Sequence, residues 1–355
     1  MPDRDSDAAS DPALHLLFKA MQDSPSPRLW VTGEQNQLPA GDVPVDLALT
    51  NRVDLADALR TRGVETILND FDLTALSNVP QTIGLRVAKE KALTHHLINQ
   101  AAHALPAGGL LWLCGNKQEG IKGYLQRTSR YLGCQPNIQR QAGMQLGEFT
   151  RPTTPAGGPL DDQNYASLQA LDLDGSLWWT KPGIFGWRSI DSGSALLAAA
   201  LNQVWPASAS PPAQVLDLGC GYGYLAVSAA KRWPQASIVA TDNNVAAVTA
   251  CTTNLSPFGD RATARLADCG AGLQGPFDAI LCNPPFHQGF GLQPDLHERF
   301  LCRSRELLAP QGHALFVVNQ FLALERSAER HFKEIHIVDR TRSFKLVRLS
   351  NPKRA

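Results

Sequence analysis

The chain has 355 residues, and its 33 basic and 33 acidic side chains give a formal net charge of zero. The length allows about two domains with separate cores, and the charge balance excludes binding of nucleic acid through an overall positive charge. No apolar run approaches the roughly 18 residues of a membrane-spanning helix, and the first residues lack a signal-peptide pattern. The 7 cysteines are odd in number and include no Cys-x-x-Cys pair, which argues against a disulfide framework or a zinc site. A cytoplasmic protein without membrane contact or metal is therefore expected.

Short apolar segments alternate with helical patterns in the first half of the chain. Strands are expected at 48–51, 64–69, 82–87 and 110–113. This alternation predicts a doubly wound α/β domain over residues 1–150.

A break follows at residues 151–159, which read Arg-Pro-Thr-Thr-Pro-Ala-Gly-Gly-Pro. This composition favours neither helix nor strand. We therefore expect a domain linker at 151–165 and a second domain at 166–355.

The second half also alternates helices and strands. Its last two predicted strands are separated only by residues 339–342, which is short enough for an antiparallel hairpin. We expect a mostly parallel sheet of seven strands with a reversed strand at its edge. The helices are predicted at 194–204, 224–233, 244–255, 296–308 and 321–332, and the strands at 215–218, 237–241, 263–267, 277–282, 313–318, 334–338 and 343–349.

The two halves resemble each other in the order of their elements. Leu-Pro-Ala-Gly-Gly precedes the strand at 110–113, and Leu-Ala-Pro-Gln-Gly precedes the strand at 313–318. Both read as the end of a helix, a turn and a buried parallel strand. The sequence therefore predicts a duplicated fold.

A turn with glycine at every second position follows the strand at 215–218. It contains Gly219, Gly221 and Gly223. Glycines at a strand-to-helix turn let the backbone approach a ligand closely, although such a turn alone is also common as a simple tight turn. Asp217, within the strand, is expected to orient this site, with the backbone amides of the turn as its partners.

Two further strands of the second half end in aspartate. Asp242 follows the strand at 237–241, and Asp268 follows the strand at 263–267. Carboxyl ends of parallel strands meet at one edge of the sheet, where ligands of open α/β sheets bind. Asp242 is suited to hold both hydroxyls of a ribose, with a helix N-cap as the alternative. Asp268 is suited to accept from the amino group of adenine, with a simple turn role as the alternative.

The strand at 277–282 runs into Asn283-Pro284-Pro285-Phe286. Proline has a fixed φ and no backbone N–H, so the chain leaves the sheet rigidly with carbonyls that need partners from outside. The side-chain oxygen of Asn283 adds an acceptor, and Phe286 adds a flat ring. This combination predicts a receptacle for a planar molecule that carries an amino group, such as a nucleobase.

These motifs, in this order, resemble the class I S-adenosylmethionine-dependent methyltransferases that act on amino nitrogens. The continuation to His287, with the segments 182–185, 191–194 and 342–347, is similar to the bacterial ribosomal RNA guanine-N2 methyltransferases, which include methyltransferase C of the small subunit and methyltransferase G of the large subunit. The resemblance covers residues 178–347.

The resemblance implies two tandem Rossmann-like methyltransferase domains, of which the first is degenerate. The first half has no glycine turn, and residues 78–81, Asn-Val-Pro-Gln, are at most a distant counterpart of the Asn-Pro-Pro-Phe motif.

The resemblance also implies roles for residues of the second domain. His287 is expected either to take a proton or to bond to the backbone. The implied site has S-adenosylmethionine on Asp217, Gly219, Gly221, Gly223, Asp242, Asp268 and Asn283, with Asn283, Pro284, Pro285 and Phe286 as the catalytic motif.

Basic side chains are grouped once in each half. Such runs are usually solvated surface, but in a chain of zero net charge they predict an RNA-facing side that contacts phosphates. Lys117, Lys122, Arg342 and Lys345, together with His287, are the candidate substrate-binding residues. The full groups are Lys117, Lys122, Arg127, Arg130 and Arg140, and Arg340, Arg342, Lys345, Arg348, Lys353 and Arg354.

The sequence therefore predicts a monomeric enzyme that methylates the exocyclic N2 of a guanine in ribosomal RNA, with the small subunit favoured. Adenine N6 of nucleic acid and a protein glutamine remain alternative acceptors, because each presents a planar amino group. A non-catalytic RNA-binding assembly factor is the remaining alternative.

Overall fold

The computed structural model describes residues 11–33, 38, 41–206, 208, 210–285 and 294–354. It divides into two compact units, with the boundary between Ser167 and Leu168.

The end of the expected linker packs on the first unit. Tyr165 is buried in the core of this unit, and the side-chain amide of Asn99 donates to the carbonyl of Leu160 at 2.8 Å. Residues 151–168, between the end of β7 and the start of β8, form neither helix nor strand.

The first unit is a doubly wound α/β sheet. Its strand order is β3-β2-β1-β4-β5-β7-β6, and β7 runs antiparallel to both of its neighbours while the other pairs are parallel. The helices are α1 (Pro12–Gln22), α2 (Val53–Thr61), α3 (Lys91–Ala104) and α4 (Ile121–Leu132), and the strands are β1 (Arg28–Val31), β2 (Leu47–Thr50), β3 (Glu65–Leu68), β4 (Thr82–Arg86), β5 (Leu110–Asn116), β6 (Asn137–Gln141) and β7 (Met144–Thr150).

One inner strand of the first sheet, β1, was not among the predicted strands. It has only four residues, and two prolines precede it at Pro25 and Pro27. Such a segment reads as a loop. It becomes a strand because β2 and β4 pair with it on either side.

The second unit contains a sheet with the same topology. Its order is β12-β11-β10-β13-β14-β16-β15, and a separate hairpin pairs β8 with β9. The helices are α5 (Ser192–Val204), α6 (Tyr224–Arg232), α7 (Val245–Leu255), α8 (Pro294–Leu307) and α9 (Leu324–Ala328), and the strands are β8 (Gln169–Leu173), β9 (Ser176–Thr180), β10 (Gln214–Leu218), β11 (Ser237–Asp242), β12 (Ala262–Leu266), β13 (Phe277–Cys282), β14 (Leu308–Asn319), β15 (Phe332–Arg340) and β16 (Phe344–Pro352).

The two sheets match strand for strand, from β1 with β10 to β7 with β16. The prediction of two tandem α/β domains is confirmed. The inner parallel strands β1, β4, β10 and β13 are buried on both faces, as their apolar sequences require. Val215 and Leu216 of β10, for example, enter different core clusters on opposite sides of the sheet.

The predicted reversed edge strand is wrong. β16 pairs antiparallel with both β14 and β15, so the reversed strand lies inside the sheet, and β15 at its end runs in the direction of the parallel strands. The hairpin was predicted correctly, but its second strand inserts beside β14.

The predicted helix at 321–332 is also too long. The side chain of Asn319 accepts from the N–H of Phe321 at 3.0 Å, which forms a turn, and the helix α9 spans only Leu324–Ala328. Strand β15 already begins at Phe332. Pairing with β16 therefore replaces the last helical turn.

The proposed counterpart of the Asn-Pro-Pro-Phe motif at 78–81 is wrong as well. β4 occupies the place of β13 in its sheet, and residues 78–81 precede β4, whereas Asn283 follows β13. The two segments lie at opposite ends of equivalent strands.

Candidate functional site

The glycine turn after β10 is fixed by backbone hydrogen bonds to β11. The N–H groups of Gly219 and Cys220 donate to the carbonyl of Thr241 at 2.8 and 2.9 Å. The N–H of Gly221 donates to Oδ2 of Asp242 at 2.9 Å. The turn is therefore attached to the carboxyl end of the neighbouring strand.

All three glycines are required by this geometry. Gly219, Gly221 and Gly223 have φ of 84°, 54° and 94°, in the left-handed region that glycine adopts without strain. A Cβ at Gly223 would lie 2.7 Å from Sγ of Cys251. The absence of a side chain at Gly223 thus lets the backbone of the turn pack directly against helix α7.

Asp242 does not cap helix α7, so the N-cap alternative is wrong. The cap is Asn244, whose side-chain oxygen accepts from the N–H of Ala246 at 2.8 Å. Asp242 instead bonds to Gly221 through one oxygen and to the N–H of Asn244 through the other, at 3.0 Å. Its carboxylate lies beside the glycine turn.

Asp217 is a buried carboxylate behind the glycine turn. Its Oδ2 accepts from the N–H of Ala226 in α6 at 2.8 Å. Burial, with a contribution from the charge of Asp242, raises the pKa of Asp217 to about 7. Among the described residues, none forms a hydrogen bond with its Oδ1. A positive charge bound nearby would therefore stabilise its ionised form.

Asp268 lies directly after Ala267, beyond the end of β12, and opens a short 3-10 turn. Its carboxylate forms an ion pair with Arg299 of α8. A carboxylate has about four acceptor positions, so this pair leaves room for a further donor.

Asn283, directly after β13, has a fixed orientation. Its Nδ2 donates to Oδ2 of Asp191 and to Oγ of Ser194, each at 2.8 Å. β13 is the neighbour of β10, so Asn283 follows the strand next to the glycine turn. The ends of β10, β11, β12 and β13 meet at one edge because these strands are parallel neighbours.

Pro284 is buried and Pro285 is half-buried. Phe286 and His287 lie outside the described residues, so their expected roles stay predictions.

The segment from the end of β9 to the first turn of α5 contributes contacts that no local sequence pattern indicated. Asp191 and Ser194 hold Asn283, as described above. The carbonyl of Phe185 lies 4.0 Å from the position of a Cβ at Gly221, and the Phe185 side chain is 66% exposed. The resemblance marked this segment, but it did not link Asp191 or Ser194 to Asn283.

The first unit has different residues at the equivalent positions. The N–H of Thr32 donates to the carbonyl of Leu49 at 2.9 Å, as the N–H of Gly219 donates to Thr241. Thr32 therefore takes the place of Gly219, and Thr50, the residue after Leu49, takes the place of Asp242. The first unit has neither the glycine nor the carboxylate at these two positions.

Arg86 takes the place of Asn283 in the first unit. Ile83 and Ile280 occupy matching positions in register with β1 and β10, and Arg86 and Asn283 each follow three residues later. The side chain of Arg86 is 3% exposed.

An ion-pair network surrounds this arginine. It donates to Glu119 through two nitrogens at 2.5 and 2.6 Å, and its Nε donates to Asp11 at 2.9 Å. Burial alone would lower the pKa of Arg86, but the bonds to Glu119 and the charge of Asp11 outweigh it and raise the pKa. A guanidinium cannot accept a hydrogen bond, so this position cannot bind an amine as an asparagine can.

Three of the four lysine and arginine candidates for substrate binding are exposed: Lys117, Lys122 and Arg342. Lys345 is buried and pairs with Glu325 at 2.5 Å. Because its charge is neutralised inside the fold, the structure does not support Lys345 as a phosphate ligand.

Two kinds of feature are absent from the described part of the chain. It contains no helix with the length and hydropathy to cross a membrane. Within the same residues, no group of three or more histidine, cysteine and acidic side chains is arranged to hold a metal ion.

Comparison with known proteins identifies the family. The model of the methyltransferase small domain matches residues 176–348. Ribosomal RNA small subunit methyltransferase C of Pseudomonas aeruginosa is 33% identical over 263 residues, which are 74% of this chain and 76% of the relative. Ribosomal RNA large subunit methyltransferase G of Photobacterium profundum is 25% identical, over 77% of this chain and 71% of the relative.

A solved structure has the same fold over nearly the whole chain. It is a T. thermophilus 16S rRNA N2 methyltransferase in complex with S-adenosylmethionine and guanosine, with a TM-score of 0.80, 23% sequence identity, and coverage of 97% of this chain and 92% of that chain. The resemblance noted from the motifs is confirmed. This chain belongs to the ribosomal RNA small subunit methyltransferase C family.

Proposed function

We propose that this protein transfers a methyl group from S-adenosylmethionine to the exocyclic N2 of a guanine in small-subunit ribosomal RNA. The observation that carries the proposal is the side chain of Asn283. Both of its amide hydrogens are used by Asp191 and Ser194, so its oxygen is the atom left to accept from an amine. Asn283 directly follows β13, which pairs with β10, the strand that leads into the glycine turn.

The residues at the strand ends fit S-adenosylmethionine. When bound, this cofactor supplies a methyl group that is already activated for transfer. The bare backbone of the turn at Gly219 and Gly221 would accommodate the methionine part, and Asp242 would accept from the ribose hydroxyls. Asp268 would accept from the adenine amino group. The cofactor carries positive charge, which suits the buried carboxylate of Asp217.

The acceptor side is the Asn-Pro-Pro-Phe motif. The target guanine must leave its stack to bring N2 to the methyl group. The Asn283 oxygen and the Pro284 carbonyl would accept from the amino group, and Phe286 would stack on the ring. These contacts direct the nitrogen lone pair at the methyl carbon, and positioning supplies much of the rate in such a transfer.

The exposed surface of the second unit at Phe321 and Arg342 fits single-stranded RNA around the target guanine. The N–H of Gln320, directly after β14, donates to the carbonyl of Ser343 at 3.0 Å, so the turn that holds Arg342 lies beside Phe321. Phe321 is 85% exposed, and Arg342 is exposed as well. An exposed ring beside a cation can stack on a base while the cation binds phosphate.

The first unit is proposed to bind substrate RNA. Changing Lys117, Lys122, Arg127 and Arg130 to glutamine should weaken RNA binding and flatten its dependence on salt, because fewer counterions are released. Cofactor affinity should not change. Binding titrations at several salt concentrations measure both effects. An unchanged salt slope would make these side chains ordinary solvated surface.

The protein is proposed to act as a monomer in the cytoplasm, on ribosomal RNA or an assembling subunit. Its seven cysteines are free thiols, which suits a reducing compartment.

The proposed activity is tested with purified protein, labelled S-adenosylmethionine and small-subunit RNA or subunits that lack the modification. After digestion to nucleosides, the label should appear as N2-methylguanosine. Label in N6-methyladenosine, or in a methylated protein glutamine when subunits are used, would contradict the guanine assignment.

A further inference from the structure

We propose that Asp191 and Ser194 are positioning residues for methyl transfer, because they hold the Asn283 amide with its oxygen directed to the acceptor amine. This inference rests on the proposed function of Asn283. It concerns two side chains that do not themselves touch the substrate.

The orientation of the amide follows from chemistry. An ionised carboxylate only accepts hydrogen bonds, so the side of Asn283 that faces Oδ2 of Asp191 must be Nδ2. The second hydrogen of Nδ2 is used by Oγ of Ser194, also at 2.8 Å. A rotation of the amide by half a turn would place its oxygen against Oδ2 of Asp191 and would lose that bond, although the hydroxyl of Ser194 could then donate to the amide oxygen. The Asn283 oxygen is thus held on the opposite side, where a ligand can reach it.

Asp191 is itself held in place. It is the N-cap of α5, and its Oδ2 accepts from the N–H of Ser194 at 2.8 Å. A Cβ at Gly193 would lie 3.0 Å from Oδ2 of Asp191 and 3.2 Å from a ring carbon of Phe344. The carboxylate therefore packs closely on the first turn of α5. Because the same oxygen accepts from Nδ2 of Asn283, the position of α5 determines the orientation of Asn283.

The first unit supplies an internal comparison. Asp11 is the N-cap of α1, the helix that precedes β1, as α5 precedes β10 in the second unit. Its carboxylate accepts from Arg86 at 2.9 Å, and Arg86 takes the place of Asn283. The contact between the N-cap carboxylate and the end of the fourth strand is thus present in both units. Only in the second unit does the partner have an oxygen that can accept from an amine.

The contact has a second effect on Asn283. Hydrogen bonds in a chain polarise one another, so donation from Nδ2 to a carboxylate increases the negative charge on the Asn283 oxygen. That oxygen then binds the acceptor amine more strongly. The departing proton of the methylated nitrogen can go to water, so neither Asp191 nor Ser194 needs to exchange a proton.

Two substitutions at Asp191 separate positioning from helix capping. Serine, asparagine and aspartate cap helices about equally well, so α5 should keep its N-cap in each case. Asp191→Ser is too short to reach Asn283, and turnover should fall by about tenfold or more. Asp191→Asn retains an oxygen that can accept from both Ser194 and Asn283, and it should retain about half of the turnover or more.

The affinity for S-adenosylmethionine, measured by calorimetry, should change less than about twofold in both variants. Ser194→Ala leaves the N-cap intact and removes one acceptor, so it should lower turnover several-fold and serves as the test if Asp191→Ser does not fold. Asp72→Ser, which changes an N-cap carboxylate of the first unit in the same way, is the matched control and should not change turnover.

The inference is wrong if folded Asp191→Ser keeps most of its turnover, or if Asp191→Asn loses as much as Asp191→Ser. Asn283→Ala is measured in parallel. Full activity of Asn283→Ala would refute the proposed function of Asn283 itself. An inactive Asn283→Ala beside a fully active Asp191→Ser would refute only the positioning role.

Discussion

Replacement of Asn283 by alanine is expected to lower turnover about a hundredfold or more, equivalent to ~2.7 kcal/mol of transition-state stabilisation. The variant loses the oxygen that accepts from the target amine, and the amine then loses its orientation toward the methyl group. S-adenosylmethionine affinity should be nearly unchanged, because Asn283 acts on the acceptor. Steady-state kinetics and calorimetry give the two quantities separately.

Asp242→Asn is the matched control for this experiment, with the opposite expected profile. It should weaken cofactor binding by about 1.5–3 kcal/mol, the range for a lost hydrogen bond to a charged group, with a smaller change in turnover at saturating cofactor. An Asn283→Ala enzyme that keeps more than about a tenth of wild-type turnover would contradict the role of Asn283.

Arg86→Met is expected to lower the free energy of unfolding by about 3–5 kcal/mol, the cost of leaving a buried charge without its partner. Glu119, whose side chain is 9% exposed, would lose two hydrogen bonds from the guanidinium. Denaturant unfolding monitored by a signal from the first unit measures the change.

The double variant Arg86→Met, Glu119→Gln separates the ion pair from simple packing. It leaves no unpaired carboxylate at position 119, so it should recover much of the loss. If Arg86→Met alone lowers the free energy of unfolding by less than about 1 kcal/mol, the ion pair at the position equivalent to Asn283 does not stabilise the first unit as proposed.

The site in the second unit was predictable where local sequence determines it. Gly219, Gly221 and Gly223 are marked by their spacing, and Asn283 by the prolines after it. Each lies directly after an apolar strand, and parallel neighbouring strands end at one edge of the sheet. The positions of Asp242 and Asp268 followed from the same rule.

Other features depend on tertiary structure and have no local signal. Asp191 and Asn283 are separated by 92 residues in sequence, so only the folded chain brings them together. Strand β1 follows a proline-rich segment and is formed by its pairing with β2 and β4. Lys345 belongs to a basic run, but its position in β16 directs it to Glu325.

The duplication was visible only in part for the same reason. The similar turns before β5 and β14 indicated it, but the register of the sheets was needed to match Arg86 with Asn283. By short motifs alone, residues 78–81 resemble the Asn-Pro-Pro-Phe motif more than Arg86 does, but they lie at the opposite end of β4.

Nucleoside mapping of small-subunit ribosomal RNA from cells that lack this protein tests the guanine N2 activity in its natural setting. We expect loss of N2-methylguanosine at one position, with N6-methyladenosine unchanged. The intact gene should restore the methyl group, and the gene with Asn283→Ala should not. Small-subunit RNA with all of its N2-methylguanosine in place, or a loss of methyl groups confined to adenine, would show that this protein does not methylate guanine N2 of that RNA.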